Sequence, residues 1–310
     1  MHISYIKHAD IDKGKWDKCI ADSANGLIYA YTYYLDIMSK KWDALVLNDY
    51  EAVMPLTWNK KFGISYLRQP AFTQQLGIFG NIFFDEETTD LFISKALQIF
   101  PFAEINLNYA NVYKKNATKK CNLILPLKSS FDEIEKTFRK DFVNKIKNNN
   151  LIYQPSGEIE KTIQLFKENY EERMHISSPS YDDWLRLCNL LKSKEQLLIR
   201  KVSSENGMML SIAIFLKDKG RIYYVMSTTL PAGRLQQSNY FLLYNVIKEF
   251  AGQDLIFDFE GSEIPPIKYF FLKFGSINQP YAFVKINNLP FWKRWMKNAY
   301  DHLKKLVSKR

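Results

Sequence analysis

The chain has 310 residues, 46% of them apolar and 25% charged, and a formal net charge of +10. That is enough for about two domains with real cores, and the composition is that of a folded protein rather than a disordered one. No stretch is apolar for long enough to cross a bilayer, and the opening MHISYIKHADIDK lacks the apolar run of a secretory signal, so a cytoplasmic protein is expected. Cys19, Cys121 and Cys188, and the histidines at 2, 8, 175 and 302, are too scattered for a disulfide framework or a metal-ligand set, so no metal is expected.

In chain order, residues 44–47 and 52–58 read as strands around Asn48-Asp49, and 64–68 as a third strand. A helix over 87–100 and a strand over 104–109 follow. The basic, polar segment YKKNATKK at 113–120 is the candidate hinge, dividing a first unit (1–120) from a second (121–290). The second opens with a strand at 122–127. Ser130 and Glu133 then form a capping-box pattern, in which each side chain satisfies a free amide at the helix start. Ile134, Phe138, Phe142 and Ile146 recur every fourth residue and predict one buried face. Arg139, Lys140 and Lys145 lie mostly off it, either as a solvated face or as phosphate ligands. Two helices over 158–174 and 181–191 come next, with Arg173 near the end of the first.

Strands at 198–202 and 209–216 then flank Glu205-Asn206-Gly207, and a strand over 221–227 follows Asp218-Lys219-Gly220. A helix over 237–251 and a strand over 255–261 complete the pattern. The second half thus repeats the first: helix, helix, hairpin, strand, helix, strand. The expected fold class is α+β, with two tandem units, each a mixed, mostly antiparallel sheet flanked by helices. A duplicated unit also predicts a cleft between the copies.

In the last strand, alternation puts Ile256, Asp258 and Glu260 on one face. Two carboxylates this close raise the pKa of at least one, which suits a base for a protonated amine. The bland alternative is that Asp258 caps a turn and Glu260 pairs with a lysine. The N-terminal counterpart carries Asn106 and Asn108 instead, so if one copy is catalytic it is the second. Over 291–310, Lys293, Arg294, Lys297, Lys304, Lys305, Lys309 and Arg310 face one acid, Asp301, giving 7 − 1 = +6. Trp292, Trp295, Met296, Ala299, Leu303 and Leu306 recur at helical spacing. A basic amphipathic helix is expected there, either touching an anionic membrane or packed on the body.

The run 236–275, with a helix, FDFEGS and a second helix ending in KFG, resembles the C-terminal half of the Fem family. These are tandem acyltransferases of the GNAT superfamily, including peptidoglycan-bridge aminoacyltransferases and FemAB-like acetyltransferases. The family's D-x-x-G strand is matched by Asp258-Phe259-Glu260-Gly261, its arginine-ended helix by YEERM at 170–174, and its basic helix by FRKDFVNKIK at 138–147. The resemblance implies two GNAT-like units, the first degenerate and the second catalytic. It implies N-acyl transfer from acyl-CoA (acetyl-CoA) or aminoacyl-tRNA to an amine of an anionic, cell-envelope precursor, small or lipid-linked, at the inner face of the membrane. The acyl arm would enter between strands 221–227 and 255–261. Asp258 or Glu260 would be base or amine anchor, and Tyr224 would orient the acyl group or protonate the leaving thiolate. Arg139, Lys140, Lys145 and Arg173 would hold acceptor phosphates, Lys273 would stand in for the family's substrate-binding lysine, and Gln237, Ser238 and Asn239 would offer a helix N-terminus to a pyrophosphate.

Three departures bear on this. Residues 231–239 hold one glycine and one arginine and do not fit the superfamily's Q/R-x-x-G-x-G/A loop. Phe271 stands where the family's F-K-x-x-F-G has lysine, leaving Lys268 or Lys273 as substitutes. The helices between 158 and 191 leave no room for the long arm of some bridge-forming members. These departures favour a FemAB-like N-acyltransferase of unassigned substrate. The alternative is a silent GNAT-like fold that binds a ligand or acts as a scaffold. A P-loop, a dinucleotide-binding glycine motif and a zincin helix are absent, and no DNA-reading module is present.

Overall fold

The computed structural model describes residues 2–61, 63–147, 150–174, 176–261 and 263–291. Apart from Phe291, the expected C-terminal amphipathic helix lies outside them, as do the side chains of Lys145 and Arg173.

The first half runs β1 (Ile3–Ile6), α1 (Lys13–Asp22), α2 (Thr32–Met38), β2 (Trp42–Leu47), β3 (Ala52–Lys61), β4 (Ile64–Arg68), β5 (Phe79–Gly80), α3 (Glu86–Ile99), β6 (Phe102–Asn106) and β7 (Ala117–Lys120). Side-chain caps set the helix starts: Asp12 accepts from the Lys15 amide at 3.0 Å and Asp85 from the Thr88 amide at 2.8 Å. The second half runs β8 (Leu123–Pro126), α4 (Phe131–Glu135), α5 (Lys140–Lys147), β9 (Ile152–Pro155), α6 (Ile159–Met174), α7 (Ser178–Ser193), β10 (Leu197–Ser203), β11 (Met209–Lys217), β12 (Arg221–Thr229), α8 (Pro231–Leu235), α9 (Ser238–Phe250), β13 (Ile256–Asp258), α10 (Pro265–Leu272), β14 (Ile277–Asn278) and β15 (Tyr281–Asn287).

Two mixed sheets result, ordered β1-β2-β3-β4-β6-β15-β7, with β5 beside β3, and β14-β8-β13-β12-β11-β10-β9. In each, one parallel pair sits among antiparallel neighbours: β4 with β6, and β12 with β13. The strand exchange is the unexpected feature. β7 belongs to the first sheet but runs straight into β8 of the second. β14 belongs to the second and runs into β15, which inserts between β6 and β7 of the first. Residues 113–120, expected as a hinge, therefore end in a paired strand, and 281–287, expected within the second unit, complete the first sheet.

The capping box forms as the sequence predicts, with Glu133 accepting from the Ser130 amide at 3.1 Å. Ile134, Phe138, Phe142 and Ile146 are all buried. The single helix expected over them is broken, however. α4 stops at Glu135, and the Arg139 amide turns to the carbonyl of Lys273 at 2.9 Å before α5 begins.

Central strands are covered on both faces, so their side chains alternate between two cores. Ile212, Ile214, Leu216 and Tyr223 join a core shared by the two halves, together with Trp16, Tyr29 and Trp184. Ala213, Phe215 and Tyr224 face the other way, among Phe142, Leu243, Phe257, Phe271 and Phe274. Where a cleft between the copies is expected, most of the junction is this shared packed core. Polar groups gather at one edge of it, around Glu260.

Candidate active site

β12 and β13 pair in parallel over three positions only, Arg221 with Ile256, Ile222 with Phe257, and Tyr223 with Asp258. β12 then runs on to Thr229 without another described strand on that side, leaving residues 224–229 with an open edge. β12 also carries a bulge: Ile214 faces Met226 and Phe215 faces Tyr224, so Val225 is the extra residue. A bulge leaves its extra residue out of the ladder and re-aims the strand.

On one face of this edge lies a carboxylate network. Asp258 is buried, and its Oδ2 takes hydrogen bonds from Arg221 Nη1 at 2.5 Å and from Asn122 at 3.1 Å. Its Oδ1 accepts the Glu260 amide at 2.8 Å. Burial works against the Arg221 charge, but the Asp258 carboxylate outweighs it and raises the guanidinium pKa. Asp258 is thus committed to an ion pair and to capping a turn. The strand ends there: Glu260 and Gly261 have φ of +60° and +59°, so Glu260 comes to the side of Asp258 through a left-handed turn and not by strand alternation.

Glu260 instead reaches across to the first half, where Tyr29 donates its hydroxyl to the Glu260 carboxylate. Burial, then the neighbouring Asp258 charge, push the Glu260 pKa well above its ordinary 4.5. The fully buried Tyr29 phenol is held well above 10 by burial and then by Glu260. Tyr223 packs against Tyr29 with ring centroids 5.2 Å apart, and donates its hydroxyl to Asp218 at 2.6 Å. Glu260 is therefore a half-buried carboxyl with one tyrosine partner and no lysine beside it among the described residues.

On the other face lie Tyr224 and the start of α9. Tyr224 donates its hydroxyl to Asn239 at 3.0 Å, and burial pushes its pKa up to about 12, keeping the phenol protonated. Ser238 is buried, with its Oγ against Gly233 and without a hydrogen-bond partner among the described residues. Gln237 caps α9 in a left-handed conformation. The first amides of a helix have no partner within it, and the helix dipole favours an anion there. The short α8 occupies the stretch where the glycine-rich loop would lie.

Two of the predicted cations converge beside this helix start. Arg139 donates to the Tyr269 hydroxyl at 2.6 Å and also contacts Asp141 at 3.2 Å. The Lys273 ammonium lies 5.1 Å from the Tyr240 ring and 5.3 Å from that of Tyr269. Lys140 is exposed at the first residue of α5. The predicted site residues thus fall into two groups on opposite faces of β12, with Asp258 and Glu260 on one and Tyr224, Asn239, Arg139 and Lys273 on the other.

Sequence reasoning missed Arg221 and Tyr29. Arg221 is a lone charge heading an otherwise apolar strand, RIYYVM, which is the available signal for a buried ion pair. Tyr29 sits in YAYTYY, a tyrosine cluster between helices with nothing to single out one member. A separate recess of about 380 Å³ lies in the first half, lined by His8, Asp36, Trp42, Asp43 and Trp58 among others. Its carboxylates are taken by His8, Lys13, Tyr5 and the two indoles. Among the described residues no group of His, Cys, Asp and Glu could hold a metal ion, and no helix is long and apolar enough to cross a membrane.

No family model and no curated protein matches the chain. The arrangement of two mixed sheets flanked by helices is nevertheless shared with solved structures. FemX has a TM-score of 0.65 and 13% identity, over 93% of this chain and 98% of its own. A conserved protein of unknown function from Bacteroides thetaiotaomicron gives 0.55 and 10%, over 89% and 98%. The C-terminal domain of a putative lysylphosphatidylglycerol synthetase from Agrobacterium fabrum gives 0.51 and 9%, over 90% and 92%. At these identities the likeness defines the fold: the chain has the tandem FemX-like fold that its sequence resembles.

Proposed function

We propose that the protein is an N-acyltransferase whose active site is the open edge of β12, with the second half catalytic and the first degenerate. The observation that carries this reading is the position of Glu260 on one face of that edge and Tyr224–Asn239 on the other. The donor lies along the face bearing the α9 N-terminus, where Arg139, Lys140 and Lys273 meet its phosphates. The amine approaches from the Glu260 face. Glu260 takes the ammonium proton, and the freed nitrogen attacks the carbonyl carbon of the thioester or ester. Amides of β12 near the Val225 bulge hold the developing oxyanion. The carbon–sulfur or carbon–oxygen bond then breaks, the Tyr224 phenol protonates the leaving group, and the nitrogen sheds its second proton, which restores the phenol. The resemblance to the Fem family, with the fold shared with FemX, favours an aminoacyl or acyl donor and a cell-envelope amine at the cytoplasmic side.

Thermal unfolding with acetyl-CoA, coenzyme A, longer acyl-CoAs and aminoacyl-tRNA tests this. A donor at 100 times its Kd adds about 2.7 kcal/mol, a rise of roughly 2 °C or more. A shift with an acyl-CoA or with aminoacyl-tRNA identifies the donor class. No shift with any of them leaves a carrier-protein donor or a silent fold, with which Phe271 in the lysine position and the missing glycine loop are consistent.

A further inference from the structure

The recess at the start of β2 holds a buried charge whose partners are all neutral. Asp43 lines it and is only 8% exposed. Its Oδ2 accepts the Tyr5 hydroxyl and the Trp58 indole N–H, each at 2.8 Å, and its Oδ1 accepts the His8 amide at 3.0 Å. Burial, and then Asp43 itself, push the Tyr5 pKa up to about 12, so the phenol keeps its proton. Asp43 thus has hydrogen bonds but no ion pair among the described residues, whereas a carboxylate taken out of water is ordinarily matched by a cation. Asp36 lies beside it. Its Oδ1 meets His8 Nε2 at 2.8 Å and accepts the Trp42 indole N–H at 3.0 Å, and its Oδ2 accepts from Lys13 at 2.7 Å. A carboxylate offers about four lone-pair positions, so each of the two keeps one open.

The rim has the opposite sign. Lys40 and Lys41, in the link from α2 to β2, are exposed and have no ion pair among the described residues. The Lys41 ammonium lies 4.8 Å from the centre of the Trp58 ring, the indole whose N–H holds Asp43. The link is fixed in place: the Lys41 carbonyl accepts the Trp58 amide at 3.0 Å and the Ser39 hydroxyl at 2.9 Å. Between base and rim the walls are aromatic, formed by Trp58, Trp42 and the His8 ring 5.1 Å from Trp42. Indole faces attract ammonium groups, and about 380 Å³ is within the range of small-molecule sites. A plain anion would be repelled by Asp43 at the base, and a plain cation by the lysines at the mouth. A molecule that carries both charges is complementary to both ends.

We propose that this recess binds a small zwitterion, with its ammonium group seated on Asp43 and Asp36 and its acid group at Lys40 and Lys41. Free amino acids and betaines share that chemistry. The recess has no residue in common with the β12 site, and the inference does not rest on the acyl-transfer reading.

The test is isothermal titration of the full chain with the common L-amino acids and with glycine betaine. Choline and propionate, each carrying one of the two charges, are the controls. At least one zwitterion is expected to bind about tenfold or more tightly than either control. Binding of amino acids but not betaine supports the proposal with hydrogen bonds to the carboxylates as the ammonium contact; binding of betaine but not amino acids supports it with the indole faces in that role. Asp43→Asn keeps the side-chain shape and removes the charge, and is expected to weaken binding about tenfold or more. Lys40→Gln/Lys41→Gln changes exposed side chains alone and is expected to weaken it about two- to fivefold at unchanged Tm, which decides the matter where Asp43→Asn does not fold. No binding of any zwitterion overturns the proposal. So does choline or propionate binding as tightly as the best zwitterion. So does zwitterion binding that either variant leaves unchanged, because the ligand then sits elsewhere.

Discussion

Glu260 is a proton acceptor placed at a junction between two halves of a chain, and its environment sets how it must behave. Burial and the Asp258 charge favour its neutral form, while the Tyr29 hydroxyl opposes them and favours the carboxylate. If it deprotonates the amine, activity rises with pH along a limb lying above the ordinary carboxylate range, and Glu260→Gln loses that limb together with about 100-fold or more in kcat. The same shift acts on stability. A raised folded pKa means that the folded state binds the proton more tightly than the unfolded one. The stability this contributes is complete below about 4.5 and is lost as pH rises through the folded value. Glu260→Gln cannot ionise, so its Tm is expected to match the native chain at low pH and to exceed it increasingly as pH rises. Asp258 behaves otherwise, because its partner is a buried guanidinium. Asp258→Ala leaves Arg221 uncompensated and is expected to cost about 3–5 kcal/mol in urea unfolding. A loss below about 1 kcal/mol would show that Arg221 finds another partner.

β13 shows why the DFEG segment needs its glycine. The chain leaves the strand through two successive left-handed residues, and a Cβ on Gly261 would sit 2.3 Å from the carbonyl oxygen of Cys121. Gly261→Ala therefore adds left-handed strain of about 1–2 kcal/mol to a backbone clash. It is expected to lower stability and to move Glu260, so that kcat falls even where the variant folds; an unchanged kcat would detach Glu260 from the chemistry. The first half supplies the control within the molecule. Asn108 Oδ1 accepts the amide of Ala110 two residues on, as Asp258 Oδ1 does that of Glu260. Ala110 thus stands where Glu260 stands, and Asn111 where Gly261 does. The sequence made the two carboxylates and the asparagine contrast visible, but alternation extended the strand past Asp258, because nothing in FDFEG announces two left-handed residues. The four-residue spacing from Ile134 to Ile146 correctly marked a buried face. It could not show the break at residues 136–139, which is made by a tertiary hydrogen bond to Lys273.

At the scale of the molecule, the duplication was legible because hydrophobic patterns repeat in order, whereas the strand exchange was not. Pairing partners far apart in sequence leave no local trace, and residues 281–287 show only Val284 and Ile286 as buried alternates. The exchange has a thermodynamic consequence. β15 holds β6 and β7 together, so the first sheet closes only on a strand delivered by the second half, whereas the second sheet is built from second-half strands alone. The shared core around Trp16, Trp184 and Tyr223 adds a second coupling, since neither half covers its own apolar face. Two domains joined by a hinge would unfold in two steps. Here the first half lacks a strand, and each half lacks a core wall, when the other is open, so one cooperative transition is expected. Hydrogen exchange can read it directly: amides of β3 and β11 should share the same opening free energy, and Asp258→Ala should lower both equally although Asp258 lies only in the second sheet. Protection in β3 that survives that substitution would mean that the halves fold independently.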